Sequence, residues 1–308
     1  MEIEIIPRAP FDFAATARFF RFTQSEIVDT FLGERYRRAF HFAENLHLLN
    51  IESRGTRSRP LLALWFTDKR TFTKHEESKA KRLAERMFST DHDLKKFRAR
   101  VKDDPLMRTL EEDHRGLHLA CWPNLFEALA ISILSQQIST TVAMTLKRRM
   151  VEKFGEQITI DGETFFAFPR PEAIARASVE DLRSLGLSGA KALGVIELAR
   201  KISKGELDAS ELETEENETL IARLTNLRGI GRWTAEWTLM LHFGRTDVFP
   251  AGDLALGLFV QKYYNNGREM SEREIRALAR ERWGLWSSYA AVYFLAGLRA
   301  GTISTERR

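Results

Sequence analysis

The sequence predicts an α+β domain built on an antiparallel sheet over residues 1–85, followed by an all-α domain over residues 86–308. Three observations lead to that division. The chain, at 308 residues, is long enough for two separate cores. Strand-like stretches, rich in β-branched and aromatic residues and partly alternating, lie early, at Glu2–Ile6, His41–Ile51 and Pro60–Trp65. From about residue 74 onward, apolar residues fall at helical spacing between Ser or Asn starts and Gly stops.

In the first domain, Thr23-Gln-Ser-Glu26 has the pattern of a capping box opening a short helix, and the polar stretch Glu52–Arg59 reads as a hairpin loop. No recognisable chemistry lies there. In the second, Asn124 caps a helix whose apolar side holds Leu125, Leu129, Ile133 and Leu134. Ser135-Gln136-Gln137 interrupts it, and a second helical run stops at Gly155. Ser178-Val-Glu-Asp181 opens a short helix closed by Gly186, and Ser188 opens another closed by Gly205. Periodicity places further helices near 215–226, 232–243, 253–264, 272–283 and 287–300.

No apolar run approaches the roughly 20 residues that span a bilayer, and the first ten residues lack a signal-peptide pattern, so an intracellular location is expected. Cys121 is the single cysteine, which excludes an internal disulfide, a Cys-ligated zinc site and a four-cysteine iron–sulfur cluster. Beside Trp122-Pro123 it reads as structural filler. Seven acidic residues crowd Glu206–Glu218, while basic residues dominate at Lys95-Lys96, Lys147–Arg149 and Arg273–Arg282. With a net charge of +4, this asymmetry permits an anionic partner, although charge runs also serve as solvated faces.

The most informative segment is Leu224-Thr-Asn-Leu-Arg-Gly229-Ile-Gly231-Arg-Trp233-Thr-Ala-Glu-Trp237. One helix ends, the chain turns at Gly-Ile-Gly, and another helix starts near Arg232. Unpaired amides at that start, aided by the helix dipole, suit a phosphate, and such a turn grips a nucleic-acid backbone without reading its sequence. The same pattern also serves as a plain turn between helices. Downstream, Pro-Ala-Gly delivers Asp253 to a helix entrance, where it reads both as an N-cap and as a carboxylate offered to a cleft. Trp233 and Trp237, four apart, share one helix face and suit either a core or a pocket.

Leu227-Arg-Gly-Ile-Gly-Arg-Trp-Thr-Ala235, Asp247-Val-Phe, and Asp253 twenty residues beyond Trp233 resemble the helix–hairpin–helix DNA glycosylase superfamily, most closely its 3-methyladenine DNA glycosylase II (AlkA-like) branch. Ile131-Ser-Ile-Leu-Ser-Gln-Gln-Ile-Ser139 and Trp283-Gly-Leu-Trp286-Ser-Ser-Tyr289-Ala resemble two further motifs, and the likeness spans about residues 85–300. It implies an all-α helix–hairpin–helix domain behind a TATA-binding-protein-like α+β domain. It makes Asp253 the catalytic carboxylate and puts Trp233, Trp237 and Tyr289 at the base pocket. Arg228, Gly229, Ile230, Gly231, Arg232 and Thr234 would meet the DNA at the hairpin. Gln137, with Gln136 beside it, would fill the gap left by the flipped nucleotide. Carbonyls of Thr225, Leu227 and Ile230 would hold a structural Na+ or K+, and no other cofactor is expected.

The implied reaction is base excision repair on damaged double-stranded DNA by a monomer: hydrolysis of the N-glycosidic bond of flipped-out alkylated purines such as 3-methyladenine, leaving an abasic site. Bifunctional members carry a lysine where this chain has Trp233, so no Schiff base, and no lyase activity by that route, is expected. The chain departs from the family pattern at Arg228, Leu285, Ser287 and Leu295, the last where some relatives place a pocket tryptophan, and this leaves substrate range open. Two alternatives stand beside this reading: a glycosylase for neutral lesions such as hypoxanthine or an oxidised purine, and a non-catalytic DNA-binding module. Asp253 argues against the second, because a grip on phosphates gains nothing from a nearby carboxylate.

Overall fold

A computed structural model describes residues 2–20, 26–42, 45–67 and 72–306. Strands β1 (Ile3–Ile5), β2 (Asp29–Leu32), β3 (Arg35–Phe42), β4 (Asn45–Ser53) and β5 (Leu62–Phe66) form an antiparallel sheet in the order β1-β5-β4-β3-β2, with helix α1 (Phe13–Phe20) inserted after β1. The stretch expected as one strand at His41–Ile51 is two, with Phe42 paired to Asn45, and β2 was not anticipated. The proposed Thr23 capping box lies, apart from Glu26, outside the described residues. One face of the sheet buries Tyr36 against Phe20 and Phe88, both within ring contact.

The helical part runs α2 (Lys74–Met87), α3 (Leu94–Val101), α4 (Pro105–Asp113), α5 (Leu125–Ser135) and α6 (Thr140–Phe154). A two-stranded hairpin follows, β6 (Gln157–Ile160) and β7 (Glu163–Phe166). It corrects the expectation that everything beyond residue 74 is helical. Asp161 and Gly162, at φ +51° and +81°, make the tight turn that a two-residue hairpin needs. Phe165 and Ala167 pack on Ala39 and Leu48, covering the other face of the sheet.

Then come α7 (Pro171–Ala175), α8 (Val179–Arg183), α9 (Gly189–Ser203), α10 (Ala209–Leu212), α11 (Asn217–Thr225), α12 (Arg232–Leu241), α13 (Leu254–Tyr264) and α14 (Glu272–Trp283). A 3-10 turn at Gly284–Trp286 leads into α15 (Ser287–Ala300). Asn124, Ser178, Ser188 and Ser271 each cap the helix that follows, accepting the backbone amide three residues on. Helix α5 is apolar nearly all round and runs through the core, touching α6, α9 and α12. The expected domain boundary near residue 85 falls inside α2.

A buried ion cluster joins the sheet to α5 and α6. Arg38 of β3 bonds Asp29 at 2.6 Å and also Glu127 of α5, while Lys147 of α6 bonds Glu26 at 2.7 Å. Lys147, which the sequence offered as part of a basic run, is therefore internal. Burial raises the Asp29 carboxyl, but Arg38, Lys147 and Tyr36 outweigh it and hold the group below its usual range. For Glu127 burial wins, and its carboxyl is raised despite Arg38 and Lys147. Removing one partner from such a cluster strands a buried charge.

Candidate active site

Three expected residues, Asp253, Trp233 and Trp237, come together at one small pocket of about 150 Å³, a size that admits an aromatic ring. Ile131, Ser132 and Ser135 of α5, Thr140 and Met144 of α6, Trp122, Leu241, Leu295 and Arg299 complete its wall. Larger grooves lie along α2 and between the sheet and the β6–β7 region, but neither contains Asp253 or the paired tryptophans.

Asp253 is the N-cap of α13, and its Oδ1 accepts the amides of Ala255 at 3.0 Å and Leu256 at 3.1 Å. Its Oδ2 accepts no hydrogen bond among the described residues. The cap fixes the carboxylate at a helix start whose dipole favours negative charge. Trp233 and Trp237 sit one turn apart on α12, half-buried, with ring centroids 6.4 Å apart and planes at 67°. The Trp237 Nε1 donor is buried without an acceptor among the described residues.

Tyr289 does not reach this pocket. It is fully buried against α3, its hydroxyl 2.8 Å from His92 Nδ1 and its ring against Phe97. The two pocket residues that α15 does supply are Leu295 and Arg299, six and ten positions on. At about 100° per residue, Leu295 lies ~240° round the helix from Tyr289. Leu295 was singled out in the sequence, but Arg299 was missed. Its guanidinium lies 4.2 Å over the Phe19 ring of α1, and burial draws it down to about 10, which leaves it cationic at neutral pH.

The hairpin between α11 and α12 takes its shape from Gly229, at φ +77°, while Ile230 anchors it in the core. Gly231 caps α12 without a side chain, and the amides of Arg232, Trp233 and Thr234 find no acceptor among the described residues. Arg232 is engaged internally, with Glu218 at 2.6 Å and Glu236 at 2.9 Å, and Arg228 pairs with Glu197 at 3.2 Å. Thr234 is buried and accepts Gln136 Nε2 at 3.0 Å. Gln136 also donates to the Gly229 carbonyl at 2.7 Å, so it ties the α5–α6 turn to the hairpin. Gln137 beside it is exposed in left-handed backbone, φ +56°. Leu227 O accepts the Ile230 amide at 3.1 Å within the turn, and Thr225 closes α11.

Cys121 is wholly buried, and burial pushes its thiol up to about 11, which removes it as a nucleophile. Among the described residues no group of three His, Cys, Asp or Glu side chains could hold a metal ion, and no helix is long and apolar enough to cross a membrane.

Comparison with known proteins gives this arrangement its family. Residues 130–285 match the HhH-GPD superfamily of base excision DNA repair proteins. The chain is 30% identical over 236 residues to a DNA-3-methyladenine glycosylase of Bacillus subtilis (strain 168), covering 77% of this chain and 78% of that one. It is 31% identical over 178 residues to DNA-3-methyladenine glycosylase 2 of Escherichia coli (strain K12), covering 59% and 62% respectively. A solved 3-methyladenine DNA-glycosylase from Archaeoglobus fulgidus superposes with a TM-score of 0.85 at 27% identity, over 98% of this chain and 100% of that one. The hairpin that turns at Gly229, the aspartate capping α13 and the paired tryptophans between them thus sit within the matched segment, and the chain belongs to the HhH-GPD superfamily of base excision DNA repair proteins.

Proposed function

We propose that this chain is a monofunctional glycosylase that hydrolyses the N-glycosidic bond of an alkylated purine flipped out of duplex DNA. The observation that carries the reading is the meeting, in one pocket, of the Asp253 carboxylate with the indoles of Trp233 and Trp237. Alkylation at N3 or N7 makes a purine cationic and a good leaving group. Its departure leaves positive charge on the sugar, which a fixed carboxylate stabilises, by ~3–4 kcal/mol if it resembles other preorganised charge stabilisers. Asp253 Oδ1 is held by two amides, and Oδ2 is left to face that charge or to orient the attacking water. The indoles attract a cationic base face by roughly 0.5–2 kcal/mol.

Unspent amides at the start of α12 would take a phosphate, with the hairpin carrying the backbone grip. Arg232, whose Nε, Nη1 and Nη2 all lie on glutamates, reaches that role by exchanging them for phosphate, whereas Arg228 gives only Nη1 to Glu197 and keeps further donors for it. Gln137, exposed at the tip of the α5–α6 turn, would fill the vacated place in the stack. Carbonyls of Thr225, Leu227 and Ile230 are neutral oxygen donors of the kind that suits Na+ or K+, and Leu227 O keeps a lone pair beside the Ile230 amide it accepts. Such an ion would add positive charge near the gripped phosphate.

A second reading, excision of a neutral base, is favoured by Arg299, whose positive charge in the pocket wall would repel a cationic base. Incubation with duplex DNA methylated at purines tests the main reading. Free 3-methyladenine or 7-methylguanine should be released while strands remain unbroken until alkali is added. Strand breaks without alkali would contradict the monofunctional assignment, and release of hypoxanthine at a rate equal to or above that of the methylated bases would favour the second reading.

A further inference from the structure

We propose that Lys191 is a positioning residue that holds the α5–α6 turn, and hence Gln137, in register with the backbone-gripping hairpin; the proposal rests on the reading of Gln137 as the plug. Lys191 Nζ donates to two carbonyls of that turn, Leu134 O at 2.8 Å and Gln136 O at 2.7 Å. An ammonium at the last carbonyls of α5 is favourable both as a charge-assisted hydrogen bond and against the helix dipole.

At its own end, the same charge is misplaced. Lys191 is the third residue of α9, where Ser188 caps its amide and a cation meets the positive end of the dipole. Helix propensity does not explain a lysine here, since any straight side chain would serve. The two carbonyls across the gap do explain it.

Helix α9 also touches the hairpin, three residues further on. A Cβ at Gly194 would lie 3.3 Å from Arg228 O and 3.9 Å from Gly229 Cα, so the close approach of helix and turn leaves room for little more than glycine. Positions three apart share one helix face, so α9 presents Lys191 to the plug turn and Gly194 to the hairpin from the same side. Gln136 joins the two loops directly, through Gly229 O and Thr234 Oγ1. The plug turn is thus fastened twice: by the Gln136 side chain to the hairpin, and by the Gln136 carbonyl to a helix that abuts it. Gln137 follows immediately in left-handed backbone, a conformation that costs energy for a side-chain-bearing residue and persists where its neighbours are fixed. The position of the hairpin therefore sets where the plug stands.

The test is a double-mutant cycle between Lys191→Met and Gln137→Ala, read as excision of a methylated purine in duplex DNA. Lys191→Met keeps the aliphatic stem and loses the donors, and it should slow excision about tenfold when the lesion is well paired. The deficit should shrink to about twofold opposite a mismatch, where unstacking is cheap. Gln137→Ala should show a similar loss, and the double variant should be no slower than Gln137→Ala alone, because Lys191 acts through the plug. Lys191→Arg should restore most of the rate. The salt slope for undamaged duplex should be unchanged. A slope smaller by about one would mean that Lys191 touches phosphate directly and would overturn the proposal. Multiplicative losses in the double variant, or an inactive Gln137→Ala partner for an unaffected Lys191→Met, would overturn the clamp while leaving the plug. An unimpaired Gln137→Ala would remove plug and clamp together.

Discussion

One oxygen of Asp253 is committed to capping α13, and the other accepts no hydrogen bond among the described residues, so the cap reading holds and leaves an oxygen for the catalytic role proposed above. The cap interpretation and the catalytic one do not compete, because an N-cap side chain must stand at a helix end, where the chain opens onto a pocket. Trp233 and Trp237 were legible for the same reason: residues four apart on one helix must share a face. Arg299 was not, since nothing in its local pattern points to the pocket, and Tyr289, placed there by the resemblance, lies instead on the side of α15 that packs on Phe97 of α3. A cationic Arg299 in the wall of a pocket that also holds a carboxylate would bias the choice among bases. Arg299→Met should raise the ratio of 3-methyladenine to hypoxanthine excision about fivefold, the size of ~1 kcal/mol of repulsion in a partly screened site. A ratio measured within one variant cancels any loss of folded protein. An unchanged ratio would show that Arg299 plays no part in choosing the base.

Among the elements, the helices were the easier part to read. Ser271-x-x-Glu274 forms a reciprocal capping box, and the helix expected at 272–283 begins where that box puts it. The strands were harder. The run from Arg35 to Ser53 has apolar residues on both sides of the sheet, because α1 covers one face and the β6–β7 hairpin the other, so clean alternation is lost where β3 and β4 pair. The hairpin itself carried a legible signal, Asp161-Gly162 between Ile158, Ile160 and Phe165, but it is short and lies among helices. What no local pattern shows is that Lys147, in a basic run, would be sealed inside, because its partners Glu26 and Asp29 lie more than a hundred residues away.

At the scale of the whole molecule, burial fixes how the fold answers to acid. His242 is fully buried, with Nδ1 on the Trp122 carbonyl, and burial, aided by Arg86, draws it down to about 3. His118 is drawn down by burial to about 4, against the pull of the Ser89 and Pro10 carbonyls. Both are depressed below the unfolded value of about 6.5, so the unfolded chain binds more protons between those limits. The stability they contribute is complete above about pH 6.5 and is lost as pH falls toward the folded values, by ~2 kcal/mol each at pH 5. Melting temperature should accordingly fall between pH 7 and pH 5. His242→Asn, which keeps a donor for Trp122, should flatten that slope, by less than half because burial also lowers His41, His92 and His114. A variant as acid-sensitive as the parent would place the titrating groups elsewhere, with the Asp29 carboxylate of the buried cluster between the sheet and α5–α6 the next to test.

Whether Asp253 supplies the negative charge for glycosidic cleavage is tested by single-turnover release of free base from methylated duplex DNA, comparing the parent chain with Asp253→Asn. The asparagine keeps a cap for Ala255 and Leu256 but no charge. Release should fall by at least about a hundredfold, while affinity for the same DNA is kept or improved because a charge near phosphates is gone. Release at a near-parental rate by a folded, DNA-bound Asp253→Asn would contradict that role for Asp253.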